Sequence, residues 1–141
     1  MSRRLLLIRH GQTTYNATGR MQGHLDTELS ELGLAQAKQA ADLLAEQGIS
    51  AIVCSDLSRA RATAGVIGER LGLEPVVDAR LRETHLGKWQ GMSSAEVDRD
   101  YPGARAIWRH DPTWAPPEGE SRVDVAKRAR PVIDELMRDP E

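Results

Sequence analysis

Arg9 and His10 stand side by side at the end of a short apolar run, Leu5 to Ile8, and lead into Gly11 and the polar residues Gln12, Thr13, Thr14 and Asn16. A guanidinium is a planar fork of N–H donors that fits phosphate oxygens, and a neutral imidazole beside it is a nucleophile near pH 7. A second cation, Arg59, closes the stretch Ser55-Asp56-Leu57-Ser58-Arg59, which follows another apolar run, Ala51 to Cys54. If both runs are parallel strands, their carboxyl ends share one edge of the sheet, where ligands of open α/β sheets sit. The chemistry such a set could perform is phosphoryl transfer to and from an imidazole nitrogen. A single His at a strand end is more often a plain surface residue, and the convergence of two arginines is what lifts His10 above that reading.

The elements that must position these groups alternate along the chain. Arg4 to Ile8 reads as a strand buried on both faces. Ser30 caps a helix whose apolar face is Leu32, Ala35, Gln36, Gln39, Ala40, Leu43 and Leu44, and Gly48 supplies a stop. Ala51 to Cys54 is a second strand, an Ala-rich helix runs from Ser58 to Leu71 and closes at Gly72, and Pro75 to Val77 is a third strand. The order β-α-β-α-β predicts an α/β fold, three-layered, with a mainly parallel sheet flanked by helices. From Thr84 to Pro117 the pattern weakens into short helices and a loop holding Trp89, Trp108 and Trp114, long enough to form a lid. Trp89 and Trp114 read as packing before they read as a sugar platform, and Ser121 as the cap of a last helix interrupted by Pro131.

Composition bounds the partners. With 141 residues, 40% hydrophobic and 28% charged, the chain suits one domain with one core. A net charge of −2 with scattered cations gives no field for nucleic acid or an anionic membrane. The single cysteine, Cys54, excludes an internal disulfide, and the first apolar run is too short for a signal segment or a membrane span, so the cytoplasm is the expected location. The partner expected is a small-molecule phosphomonoester, with a homodimer as the candidate assembly. His10, His24, His85 and His110 have no metal-ligand spacing, so neither metal nor other cofactor is expected. A cysteine-phosphatase loop needs five residues between Cys and Arg; Cys54 and Arg59 are separated by four.

Three motifs in order, LIRHGQT at 7–13, SDLSRA at 55–60 and LRETHLGKWQG at 81–91, resemble the histidine phosphatase, or phosphoglycerate mutase-like, superfamily. The resemblance runs from Arg4 to about Met137. It implies that His10 becomes phosphohistidine, that Arg9 and Arg59 bind phosphoryl oxygens with help from Asn16, and that Glu83 is the general acid. Gln22 and Gly23 would line the substrate pocket, and His85 would touch phosphate. Arg20 and Arg82 are further candidate anion contacts. Glu83 must carry a proton to act, so its pKa is expected to be raised by burial or by a neighbouring phosphate dianion that offsets the arginines. The segments GRMQGHLDTELSELG and WAPPEGESRVDV narrow the resemblance to a hydrolase acting on a phosphorylated carbohydrate acid.

A mutase and a broad-specificity phosphatase are the enzymatic alternatives; the compact THLGKWQG stretch favours hydrolysis. Members of the family continue into a further central strand ending in a second His-Gly, whereas this chain reads MRDPE at its end. The resemblance therefore implies a single domain, 1–141, that is C-terminally incomplete, and it keeps open an inactive fragment or pseudoenzyme that binds a phosphorylated ligand or a partner. An incomplete sheet would leave Arg4 to Ile8 unpaired and prone to self-association.

Overall fold

A computed structural model of the protein describes residues 3–138. The last three residues of the MRDPE terminus, on which the expectation of an incomplete domain partly rests, lie outside them. Helices α1 (Thr14–Ala17), α2 (Glu31–Leu44), α3 (Ser58–Leu71), α4 (Ser94–Asp100), α5 (Ala104–His110) and α6 (Arg122–Met137) are joined by strands β1 (Val53–Cys54) and β2 (Val76–Val77). The strands pair in parallel, Val53 with Val76 and Cys54 with Val77, through the α3 crossover. This is the expected α/β architecture with its parallel sheet.

Local chemistry explains most boundaries. Ser30 accepts from the Gly33 amide at 3.1 Å to start α2, and Ser121 accepts from the Asp124 amide at 3.1 Å to start α6. Helix α3 has no side-chain cap of its own; the Asp26 carboxylate accepts from the Ser58 amide at 2.6 Å, placing a negative charge at the helix N-terminus. Gly72, at φ 73°, ends α3. Pro131 is accommodated inside α6.

Two expectations are corrected. The run Arg4 to Ile8 makes no ladder among the described residues, and Leu7 is 79% exposed. A strand exists only through its partner; β1 pairs with β2 instead, and the run is tethered at its start by side chains, Arg3 to the Leu136 carbonyl and Arg4 to the Gln47 carbonyl. Helix α2 buries Gly33, Ala37 and Ala41, spaced by four, and leaves Leu32 and Leu43 exposed. Here close approach outranks side-chain size: a Cβ on Gly33 would stand 2.0 Å from the Gln12 carbonyl oxygen. The small face lets α2 lie on α3 and against the loop that follows His10.

The segment 84–117 is no loose lid. Leu86, Trp89 and Val97 form a buried cluster, with Met21, Met92, Tyr101, Ala104, Trp108 and Trp114 packed on it. Trp89 is fully buried, with Trp114 at 5.5 Å and Trp108 edge-on at 5.9 Å between ring centroids. Trp89 is thus core, with Trp108 and Trp114 packed against it. Among the described residues no helix is long and apolar enough to cross a membrane.

Candidate active site

His10 sits at the end of the N-terminal run with its side chain largely buried. Its Nδ1 lies 2.7 Å from the Gly11 carbonyl and its Nε2 lies 2.9 Å from Glu83 Oε1. The Gly11 carbonyl can only accept, so the ring donates to it from Nδ1, and a hydrogen bond joins Nε2 to the Glu83 carboxyl group. Arg9 is exposed, and beside it a cavity of about 450 Å³ is lined by Arg9, His10, Gln12, Asn16, Gln36 and Thr63.

Arg59, in the first turn of α3, is fully buried. Its Nη1 donates to the Leu25 carbonyl at 2.7 Å and its Nη2 to the Gly23 carbonyl and, at 2.6 Å, to Glu83 Oε2. A buried guanidinium is tolerated because these acceptors replace its hydration. Its Nε–H is buried with no hydrogen-bond partner.

Glu83 therefore bridges the imidazole and the guanidinium, one oxygen to each. Burial pushes its carboxyl up, but the hydrogen bonds from His10 and Arg59, with the charge of Arg59, outweigh burial and hold it down at about 2. The expected rise is thus corrected for the site without ligand: the carboxylate stands where it accepts from both His10 and Arg59, and each hydrogen bond favours its ionised form.

The other candidates separate. Asn16 lies beside His10 in the cavity wall, but its Oδ1 accepts from the Thr13 amide at 3.2 Å in a capping box that starts α1. Gln22 is buried, its Oε1 accepting from Thr13 at 2.8 Å and Thr27 at 2.6 Å, so it ties loops together behind the site. Gly23 contributes its carbonyl to Arg59. The His85 Nδ1 accepts from the Gly87 amide at 2.9 Å and its ring lies 4.6 Å from that of His24. Arg82 is paired with Asp56 at 2.6 Å, and Arg20 reaches the Gly91 carbonyl at 3.3 Å.

These distances join an imidazole, a buried guanidinium and a carboxylate from three distant stretches of the chain. Residues 5–141 match the histidine phosphatase superfamily (branch 1). The chain belongs to that superfamily. It is 60% identical over 136 residues to a glucosyl-3-phosphoglycerate phosphatase of Mycobacterium tuberculosis, covering 96% of this chain and 61% of the relative. A solved mycobacterial glucosyl-3-phosphoglycerate phosphatase in complex with VO3 superposes with a TM-score of 0.88 at 61% identity, over 90% of this chain and 61% of that one. The α-ribazole phosphatase of Shigella flexneri gives 0.79 at 28% identity, over 92% and 64%. The chain thus spans about three fifths of the length of these curated relatives.

As a histidine phosphatase domain, the chain leaves Cys54 without a part in the site. It is buried in β1, and burial pushes its thiol up, away from the reactive thiolate. What sequence reasoning missed lies on the far side of Glu83. His24 Nε2 donates to the Glu83 carbonyl at 2.7 Å, and burial keeps that imidazole below its ordinary pKa, in the neutral form that one N–H suits. Arg128 of α6 donates to the Glu83 carbonyl at 2.8 Å and to the carbonyls of Arg80 and Arg82 at 2.7 Å each. Glu120 holds Arg128 through both oxygens and also accepts from the His85 amide at 2.8 Å. Hydrogen bonds from Arg128, with its charge, bring the Glu120 carboxyl to about 2. The Gly119-Glu120-Ser121 stretch could have signalled this, because a Cβ at Gly119 would meet the His85 carbonyl oxygen at 2.5 Å.

Proposed function

We propose that the protein is a metal-independent phosphomonoesterase working through phosphohistidine at His10, and that its substrate is glucosyl-3-phosphoglycerate or a closely related phosphorylated carbohydrate acid. The observation that carries this reading is the Glu83 carboxylate bridging His10 Nε2 and Arg59. A phosphoryl dianion is attracted to the same two groups, and a relative of the same fold is described as a complex with VO3. The name of the 60% identical relative supports the narrower substrate.

The resting geometry suggests how one proton serves both steps. As the phosphoryl group takes over Arg59, with Arg9 completing the fork, Glu83 is released from the guanidinium and the proton shared with His10 passes to its carboxylate. His10 Nε2 then has a lone pair for in-line attack on phosphorus, while Nδ1 stays anchored on the Gly11 carbonyl. The P–O bond to the alcohol breaks, and Glu83 gives its proton to the departing oxygen. In the second half, Glu83 accepts a proton from water as that oxygen attacks phosphorus and the P–N bond breaks. Phosphate leaves and the resting bridge is restored.

The test is to incubate the full-length protein with glucosyl-3-phosphoglycerate, simple sugar phosphates and 3-phosphoglycerate, and to follow free phosphate and any isomerised product. Selective release of phosphate from the glucosyl ester is expected. Comparable hydrolysis of simple sugar phosphates would overturn the narrow substrate, and isomerisation without phosphate release would overturn hydrolysis.

A further inference from the structure

Glu83 sits on a loop rather than in a helix or a sheet, between 3₁₀ turns at Ala79–Leu81 and Gly87–Trp89. A general acid must be held to within a fraction of an ångström, so something other than regular backbone bonding has to fix this loop. From the geometry we infer that Arg128, which no sequence motif singled out, is the positioning residue for Glu83, an inference that rests on the acid role proposed above.

All five N–H donors of the guanidinium are engaged in this one task. Nη1 carries the carbonyls of Arg80 and Arg82, Nη2 the carbonyl of Glu83 and one oxygen of Glu120, and Nε the other oxygen of Glu120. Three carbonyls within four residues are thus gathered onto one rigid plane. Glu120 returns the chain on the other side, accepting from the His85 amide at 2.8 Å while its own amide donates to the His85 carbonyl at 2.8 Å. His24 adds a second donor to the Glu83 carbonyl. Arg128 itself is anchored on α6, a sixteen-residue helix, so the acid loop is referenced to a rigid element. The side chain of Glu83 points to His10 and Arg59 while its carbonyl is held from behind, so Arg128 touches neither the phosphoryl group nor the nucleophile.

A lysine has three donors on a flexible stem and cannot reproduce the plane. A misplacement of about 1 Å is enough to cost on the order of 10²-fold in rate. Arg128→Lys and Arg128→Ala in the full-length protein are therefore expected to lose about 10- to 10²-fold in kcat/KM on an alkyl phosphate, the alanine variant more. For an activated aryl phosphate, whose leaving group departs without a proton, kcat/KM, which ends at release of the alcohol and so excludes the water attack that Glu83 assists, should change by less than about threefold, and the affinity for inorganic phosphate, held by Arg59 and His10, should not fall. In a Glu83→Gln background, Arg128→Lys should add no further loss, because there is no acid left to aim. Equal losses on the two ester classes, a weakened phosphate affinity in Arg128→Lys, or losses that multiply in the double variant would overturn the inference and leave Arg128 a general support of the fold. If Glu83→Gln is selective for alkyl esters and Arg128→Lys is not, the inference fails while the acid role stands. If Glu83→Gln is itself unselective, both fall.

Discussion

Replacing Glu83 by Gln separates two effects of one carboxylate, and they have opposite signs. The carboxylate bonds Arg59 at 2.6 Å and His10 at 2.9 Å, so an incoming phosphate must displace a charge-assisted hydrogen bond at each. Gln keeps the shape but has one carbonyl oxygen, so it can accept from one of the two partners and carries no charge. Half-exposed ion pairs are worth up to about 1 kcal/mol after solvent screening, and the charged character of the bond adds a comparable amount. Phosphate, as a competitive inhibitor, should therefore bind the variant about 3- to 30-fold more tightly. Turnover should move the other way. Loss of general-acid help typically costs about 10²- to 10⁴-fold on an alkyl ester. In kcat/KM, which ends at release of the alcohol and so leaves out the water attack that Glu83 also assists, an aryl ester with a stable phenolate leaving group should lose under about tenfold. Steady-state kinetics with both esters, and phosphate inhibition constants measured on the same preparations, give all three numbers. Weaker phosphate binding by Glu83→Gln would refute the idea that the carboxylate occupies the place of the anion, whatever happened to turnover.

Three further outcomes follow from the same geometry. His10→Ala should abolish acid-labile, base-stable phosphate trapped on the protein from a slow phosphomonoester, and label found instead on Cys54 would overturn the nucleophile. Glu83 and Glu120 both have carboxyls held at about 2, below the ordinary 4.5, so the stabilisation they provide is complete above about pH 4.5 and lost as pH falls toward 2; Glu120→Gln should flatten that acid limb in denaturant melts, and an unchanged limb would count against the Arg128 pair. Gly33→Ala, whose Cβ would stand 2.0 Å from the Gln12 carbonyl oxygen, should lower stability by about 1–3 kcal/mol, read as a fall in the urea midpoint; an unchanged midpoint would mean that α2 can move away from the His10 loop without cost.

Residue types and element order point to His10 and Arg59 in the sequence, at the end of an apolar run and in the first turn of an Ala-rich helix, whereas Glu83 is pointed to only by the resemblance of its motif. Boundaries governed by local chemistry, such as Ser30, Gly72 and Ser121, are equally readable. What the sequence conceals depends on which groups meet across long separations. Helix α2 reads with Leu32, Leu43 and Leu44 on its apolar face, yet the buried residues are Gly33, Ala37 and Ala41, and at Gly33 the Gln12 backbone lies too close for a side chain. Gln22 reads as a pocket residue, yet two threonine hydroxyls claim its oxygen.

The protonation state of Glu83 is the sharpest case. The acid role proposed for it implies a raised pKa, and burial does push it that way. The sign is reversed by an imidazole 73 positions away and a guanidinium 24 positions away, neither of which advertises its distance from the carboxylate in the sequence. The same two partners are the groups a phosphoryl dianion would claim. A carboxylate kept ionised by its rivals for the ligand becomes a proton carrier only when the ligand arrives, so acid strength in such a site is a property of the complex. This also assigns the work of holding Glu83 in place during the exchange: while its carboxylate changes partners, its position has to be kept by contacts to its backbone, and those are the bonds from His24 and Arg128.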